Sequence, residues 1–169
     1  MQWPHDNRAS LDAYYSAHDL GEDGTPTARW EDHNLTMIAT PFPMALAWQP
    51  HRAVTAIRCH RRVAESLSRI LRAMLELCGD ERAVHAARMH LFGGCYCFRR
   101  VAGASRLSVH SWGAAVDLDP DRNARGIRHG VRHGMMPLEV VGAFEAEGWV
   151  WGGRFRTPDC MHFQAALLP

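Results

Sequence analysis

Between Ala56 and Cys78, the residues Val63, Leu67, Ile70, Leu71, Met74, Leu75 and Cys78 recur at helical spacing, while Arg61, Arg62, Glu65, Arg69 and Arg72 fill the other face. An apolar stripe of that length has to be covered, so the remaining chain must supply a surface that packs on it. Gly79 is placed to end this helix as a left-handed C-terminal cap. A second helix is expected from Pro137, a good first helical residue, through Leu138, Val141 and Phe144 to a stop at Gly148. Three short runs read as strands, about Leu91 to Phe98, Ala114 to Leu118 and Met161 to Ala165. Helices come first and strands cluster later, which gives the α+β class.

The 169 residues have room for one domain, 1–169, able to bury roughly 70 percent of its unfolded surface. Within it, residues 1–50 carry five prolines and should be mostly loop with short elements. Their aromatic residues Trp3, Tyr14, Tyr15, Trp30, Phe42 and Trp48 are too many for a free tail. The segment is therefore expected to wrap a core formed by residues 51–169. Between Asp119 and Gly134 a polar stretch with Arg122, Arg125, Arg128 and Arg132 reads as a solvated loop.

A formal charge of +1 gives no electrostatic reason to expect nucleic-acid binding. The first residues lack a basic region followed by an apolar one, and no stretch reaches the length of a membrane helix. These features predict a monomer made in the cytosol, without a signal peptide and without a membrane or nucleic-acid partner. Five cysteines at scattered spacings argue against a disulfide framework.

The chemistry concentrates in Ser108-Val109-His110-Ser111-Trp112-Gly113-Ala114-Ala115-Val116-Asp117 and in Asp159-Cys160-Met161-His162-Phe163. With eleven His and ten Asp, a His seven positions before an Asp is expected by chance roughly 0.65 times, so spacing alone is uninformative. Context is what adds information. Gly113 permits a sharp turn after His110, and Ala114 to Leu118 has the small and branched residues of a buried strand that can return Asp117 beside His110. His162 sits in a second strand-like run. Two imidazoles and one carboxylate form a catalytic zinc set that leaves a fourth position for water. Asp159, three residues before His162, is available as a base.

Other combinations fare less well. The run Asp117 to Arg128 has Arg122 and Arg128 where a calcium loop needs Gly and Glu, which rejects calcium. Asp119 and Asn123 fit loop closure by side-chain to backbone hydrogen bonds. Cys95-x-Cys97 lacks chelating knuckle spacing, so these cysteines read as small buried hydrophobes. His129 and His133 read as exposed loop residues. Trp112 and Phe163 can serve either the core or a substrate wall.

The pattern Ser108-x-His110-x-x-Gly113-x-Ala115-x-Asp117 resembles the signature of the M15 peptidases, which include D-alanyl-D-alanine carboxypeptidases and L-alanyl-D-glutamate endopeptidases, many of the latter phage-encoded. The similarity extends to Phe98-Arg99-Arg100-Val101-Ala102-Gly103, to Trp151-Gly152-Gly153 and to Asp159-x-x-His162-Phe163, spanning about residues 94 to 165. Trp3-Pro4 and a helix at Cys59-His60 resemble the amino-terminal part of phage-type members more weakly.

The resemblance implies the α+β fold shared by these peptidases and the hedgehog signalling domain, with a small antiparallel sheet carrying zinc and helices packed on one side. It implies one Zn2+ held by His110, Asp117 and His162, and Asp159 as general acid/base. Arg99 would polarise the scissile carbonyl or bind a substrate carboxylate, although Arg100 next to it competes for that role, and Ser108 would hydrogen-bond substrate. Trp149 and Trp151 are expected to wall the groove. The implied activity is hydrolysis of a bond in the peptidoglycan stem peptide. Asp at position 159 looks more like the L-alanyl-D-glutamate endopeptidase (endolysin) branch than the D-alanyl-D-alanine carboxypeptidase branch. A non-catalytic zinc-containing wall-binding module or a phage-particle protein is the reading from another class.

Overall fold

The computed structural model describes residues 2–168. It confirms the α+β class and places the expected amphipathic helix at Arg61–Cys78 (α3), with Val63, Leu67, Ile70, Leu71 and Met74 buried. Gly79 caps it at φ 92°. The helix starts five residues later than its apolar spacing suggests, because residues 56–60 belong to a strand. His60, at the junction, caps the helix by accepting the backbone N–H of Arg62 on Nδ1 at 3.1 Å.

Two further helices precede it, Arg8–Tyr15 (α1) and Ala28–Asn34 (α2), with side-chain caps from Asn7 and Thr27. A short helix follows at Glu81–Ala86 (α4), and Leu138–Ala146 (α5) fills the place expected for the second helix, with Pro137 as its N-terminal flank.

The sheet has six strands: Leu35–Leu46 (β1), Gln49–His60 (β2), Leu91–Gly94 (β3), Ala115–Leu118 (β4), Val150–Trp151 (β5) and His162–Gln164 (β6). Their order is β2-β1-β3-β4-β6-β5. It is mixed, where a purely antiparallel sheet was expected, because β1 runs parallel to β3 through Ala45 with Leu91 and Leu46 with Phe92.

The long β1–β2 hairpin is the main departure from the sequence reading, which had loop up to residue 50. Pro41 and Pro43 suggest loop, since neither can donate to a ladder. In the hairpin they fall where the register shifts between Ala39 and Met44, so the pairing resumes beyond them. The run expected from Leu91 to Phe98 also shortens: the chain leaves the sheet after Gly94.

The segment ahead of the hairpin packs against the rest of the chain, whereas Trp48, in the hairpin turn, is exposed. Trp3 is buried, and its indole N–H donates to Glu147 O at 3.0 Å. The Tyr15 hydroxyl donates to Ala165 O at 2.6 Å. One cluster of buried apolar side chains runs from Trp3 through Ile57, Leu67 and Val116 to Ala166.

Candidate metal centre

Strand β4 is buried at all four positions, and in its antiparallel pairing with β6 Asp117 lies directly opposite His162. Cross-strand partners share a face, so the carboxylate and the imidazole meet without help from any loop. His110 comes from the 3₁₀ turn Val109–Trp112, capped by Ser108 at its start and by Gly113 at φ 69° at its end. Gly113 has a second constraint besides its backbone angle: a β-carbon there would lie 2.9 Å from His60 N. That turn swings His110 back over β4.

Three atoms converge. His110 Nε2 is 3.2 Å from Asp117 Oδ1, His162 Nδ1 is 3.0 Å from the same oxygen, and the two ring nitrogens are 3.1 Å apart. His110 Nδ1 lies 2.7 Å from Cys95 O, an acceptor only, so in the neutral ring it carries the proton and Nε2 presents a lone pair. His162 Nε2 lies 3.0 Å from Gln164 Oε1, which likewise leaves the lone pair on Nδ1.

Two lone pairs and a carboxylate oxygen thus face one another at hydrogen-bond distance with no proton between them in the neutral state. A cation resolves that arrangement. The separations match the edges of a tetrahedron about an ion with bonds of roughly 2 Å, the zinc geometry for nitrogen and oxygen donors. The three side chains are all buried and can hold a metal ion.

The electrostatics agree with the geometry. Burial works to raise the pKa of Asp117, but the imidazoles of His110 and His162 outweigh it and hold the carboxyl well below the usual carboxylate range. Burial lowers that of His162, yet the neighbouring Asp117 prevails and raises it.

A cleft of about 660 Å³ opens over the triad and is lined among others by Arg99, Ser108, Asp117, Arg125, Asp159 and His162. Asp159 sits in its wall, with Oδ1 buried and without a hydrogen-bond partner among the described residues. Burial pushes its carboxyl up, partly opposed by His162. Its carbonyl accepts the His162 N–H at 3.1 Å, and its own N–H donates to Gly152 O at 2.8 Å. A β-carbon on Gly152 would come within 2.5 Å of the Asp159 carbonyl, so the Trp151-Gly152-Gly153 element lets this loop close on the site.

The competing arginines differ. Arg99 lines both the cleft of the triad and a neighbouring cavity of about 520 Å³, whereas Arg100 lines the neighbouring cavity alone and donates to Ser105 O. Ser108 lines the cleft and accepts the His110 N–H on Oγ at 3.4 Å.

Trp149 and Trp151 do not wall the groove. Trp149 is buried against Trp3 and Phe144 and donates to Ser66 Oγ, and Trp151 donates to Cys160 O. Phe155 lines the cleft instead. Trp112 and Phe163 are both core residues.

Sequence reasoning missed Arg125, Arg154 and Arg156, which bring further positive charge to the cleft. Arg125 lies in the loop taken as solvated, its Nε 4.0 Å from Asp159 Oδ2. Nothing in the spacing of those arginines marks them. Cys95 is buried as expected, while Cys97 is exposed. His133 is exposed, but His129 is half-buried and hydrogen-bonded to Met136 O at 2.8 Å.

Fold and site together define an α+β protein with two histidines and one aspartate, able to hold a metal ion, gathered at the base of a cleft. Residues 102–165 match the model of a peptidase M15 family described as D-alanyl-D-alanine carboxypeptidase, which assigns the segment that builds the site to the M15 peptidases. Neither curated proteins nor solved structures give a match to the chain. Among the described residues no helix is long and apolar enough to cross a membrane.

Proposed function

We propose that the chain is a zinc-dependent, monomeric peptidase with the hedgehog-like M15 fold, cutting the L-alanyl-D-glutamate bond of peptidoglycan stem peptides as a wall-lytic enzyme. The observation that carries this reading is the convergence of three lone-pair donors at 3.0 to 3.2 Å beneath a cleft whose wall holds Asp159.

His110, Asp117 and His162 would hold the ion, which supplies a Lewis acid that polarises a carbonyl and lowers the pKa of water towards about 7. Asp159 is the group that accepts a proton from the attacking water and returns it to the leaving amine. Its Oδ1, buried and without a partner among the described residues, and its raised pKa suit a base that takes up a proton and passes it on. Arg99 stabilises the negative charge that develops on the carbonyl oxygen, an effect often worth about 3 kcal/mol. Ser108 Oγ accepts from His110 N, which leaves its hydroxyl hydrogen to donate to the substrate backbone.

A second reading, D-alanyl-D-alanine carboxypeptidase, is favoured by the description of the matching family model. Mass spectrometry of purified sacculi digested with the zinc-loaded protein separates the two. New amino termini on D-glutamate support the endopeptidase, and free D-alanine supports the carboxypeptidase. A zinc-loaded protein that releases neither would be a non-catalytic wall-binding module or a particle protein, and the enzymatic reading would fall.

A further inference from the structure

Gln164 is a buried polar side chain two residues beyond His162 on β6, so both project from the same face of the sheet. Its Oε1 is 3.0 Å from His162 Nε2, and its Nε2 donates to Ala166 O at 3.0 Å. The same nitrogen lies 3.5 Å from Asp6 Oδ2. Asp6 is itself buried and is gripped by Arg106, whose guanidinium donates to its two carboxylate oxygens at 2.8 and 3.0 Å. The backbone of Asp6 is fixed too, its N–H donating to Leu167 O at 2.7 Å.

The amide of Gln164 can point only one way. Turned over, its oxygen would face the Ala166 carbonyl and the Asp6 carboxylate, two acceptors, and its NH2 would face the imidazole. In the orientation set by Ala166 and Asp6, the oxygen takes a hydrogen from His162 Nε2. The neutral ring is then restricted to the tautomer whose lone pair sits on Nδ1, toward Asp117 and His110.

We infer that Gln164 is a positioning residue that selects the metal-binding tautomer of His162, and that the N-terminal Asp6–Arg106 pair holds Gln164 in the orientation this requires. The inference rests on the metal-centre reading. His110 supplies an internal contrast, because its tautomer is set separately by the backbone carbonyl of Cys95.

The test is imidazole nitrogen-15 NMR on the metal-free protein at alkaline pH, combined with zinc affinity by chelator competition. The wild-type protein should show His162 with its proton on Nε2 and His110 with its proton on Nδ1. Gln164→Met, close in shape but unable to accept, should give His162 mixed tautomers, leave His110 unchanged and weaken zinc binding about 10- to 100-fold. Gln164→Glu keeps an acceptor against the ring and should keep the Nε2–H tautomer.

A wild-type His162 carrying its proton on Nδ1 would overturn the proposal without any variant needing to fold. So would unchanged tautomer and zinc affinity in Gln164→Met. A wild-type protein with the expected tautomers that binds no zinc would instead sink the metal-centre reading.

Discussion

The backbone N–H of His60 donates to Gly113 O at 2.8 Å, and a β-carbon on Gly113 would approach that same nitrogen to 2.9 Å. The end of β2 is thus bonded to the turn that carries His110, with no room for a side chain between them. Gly113→Ala adds both a clash with backbone and a left-handed residue at φ 69°. It should destabilise the protein by about 3 kcal/mol. Denaturant melts would check this, and a change under 1 kcal/mol would show that the turn can relax.

Asp159→Asn keeps the size of the side chain, leaves the backbone bond to His162 in place and removes no donor atom of the triad. Zinc affinity should stay within a few-fold of wild type, while peptide release from sacculi falls by about 10²- to 10⁴-fold, the range for loss of a general base. Activity surviving at the wild-type level would remove Asp159 from the mechanism.

The convergence of His110, Asp117 and His162 was legible in the sequence because the glycine and the small residues between His110 and Asp117 force a turn followed by a buried strand, whose pairing with β6 then leaves little freedom for His162. The hairpin was not legible: two prolines interrupt β1, and β2 buries little besides Ile57, Cys59 and His60. Its place in the sheet is decided by the pairing of β1 with β3, a contact between segments separated in the chain by β2, α3 and α4. The same limit hid Arg125 and the tie from Asp6 to Gln164, which joins residues near opposite ends of the chain. The tryptophans misled for another reason, since large aromatic side chains beside a site fill the core as readily as they line a cleft.

Acid should weaken the fold through His60. Its Nε2 donates to Tyr15 O at 2.9 Å while Nδ1 accepts from Arg62 N, so it is needed neutral. Burial, only partly offset by the Tyr15 carbonyl, pushes it down to about 4. An unfolded histidine titrates at about 6.5. Between those values the unfolded chain binds a proton that the folded one refuses, so stability is full above the upper value, falls as pH drops through the window and levels below it. The loss from His60 alone is about 3 kcal/mol. His90, also pushed down to about 4 by burial, acts in the same direction. Comparing wild type with His60→Asn, which keeps a capping acceptor, isolates the slope. Parallel pH profiles would contradict the assignment.

Removing metal should expose the strain of the triad. Zinc at about a thousand times its dissociation constant adds roughly 4 kcal/mol to the folded state, or about 10 °C in Tm for a chain of this size. Calorimetry with and without a chelator should show that shift. Asp117→Ala, which removes one donor, should abolish it, and a variant that still responds to zinc would place the ion elsewhere.

The end of β4 is held by a charge pair that can be tested apart from the site. Arg88 Nε and one terminal nitrogen donate to Asp119 Oδ1 at 2.9 and 2.7 Å, and Asp119 is fully buried at φ 42°. Asn123 completes the junction, donating to Asp119 O at 3.0 Å and accepting the Met136 N–H at 2.7 Å, which closes the loop that follows. Arg88→Met leaves the carboxylate buried without its cation and should cost about 3 kcal/mol. Adding Asp119→Asn removes the stranded charge while keeping a residue that tolerates the left-handed backbone, so much of the loss should return. A double-mutant cycle by urea denaturation measures the coupling. Additive single effects would mean that Arg88 stabilises the junction by packing alone.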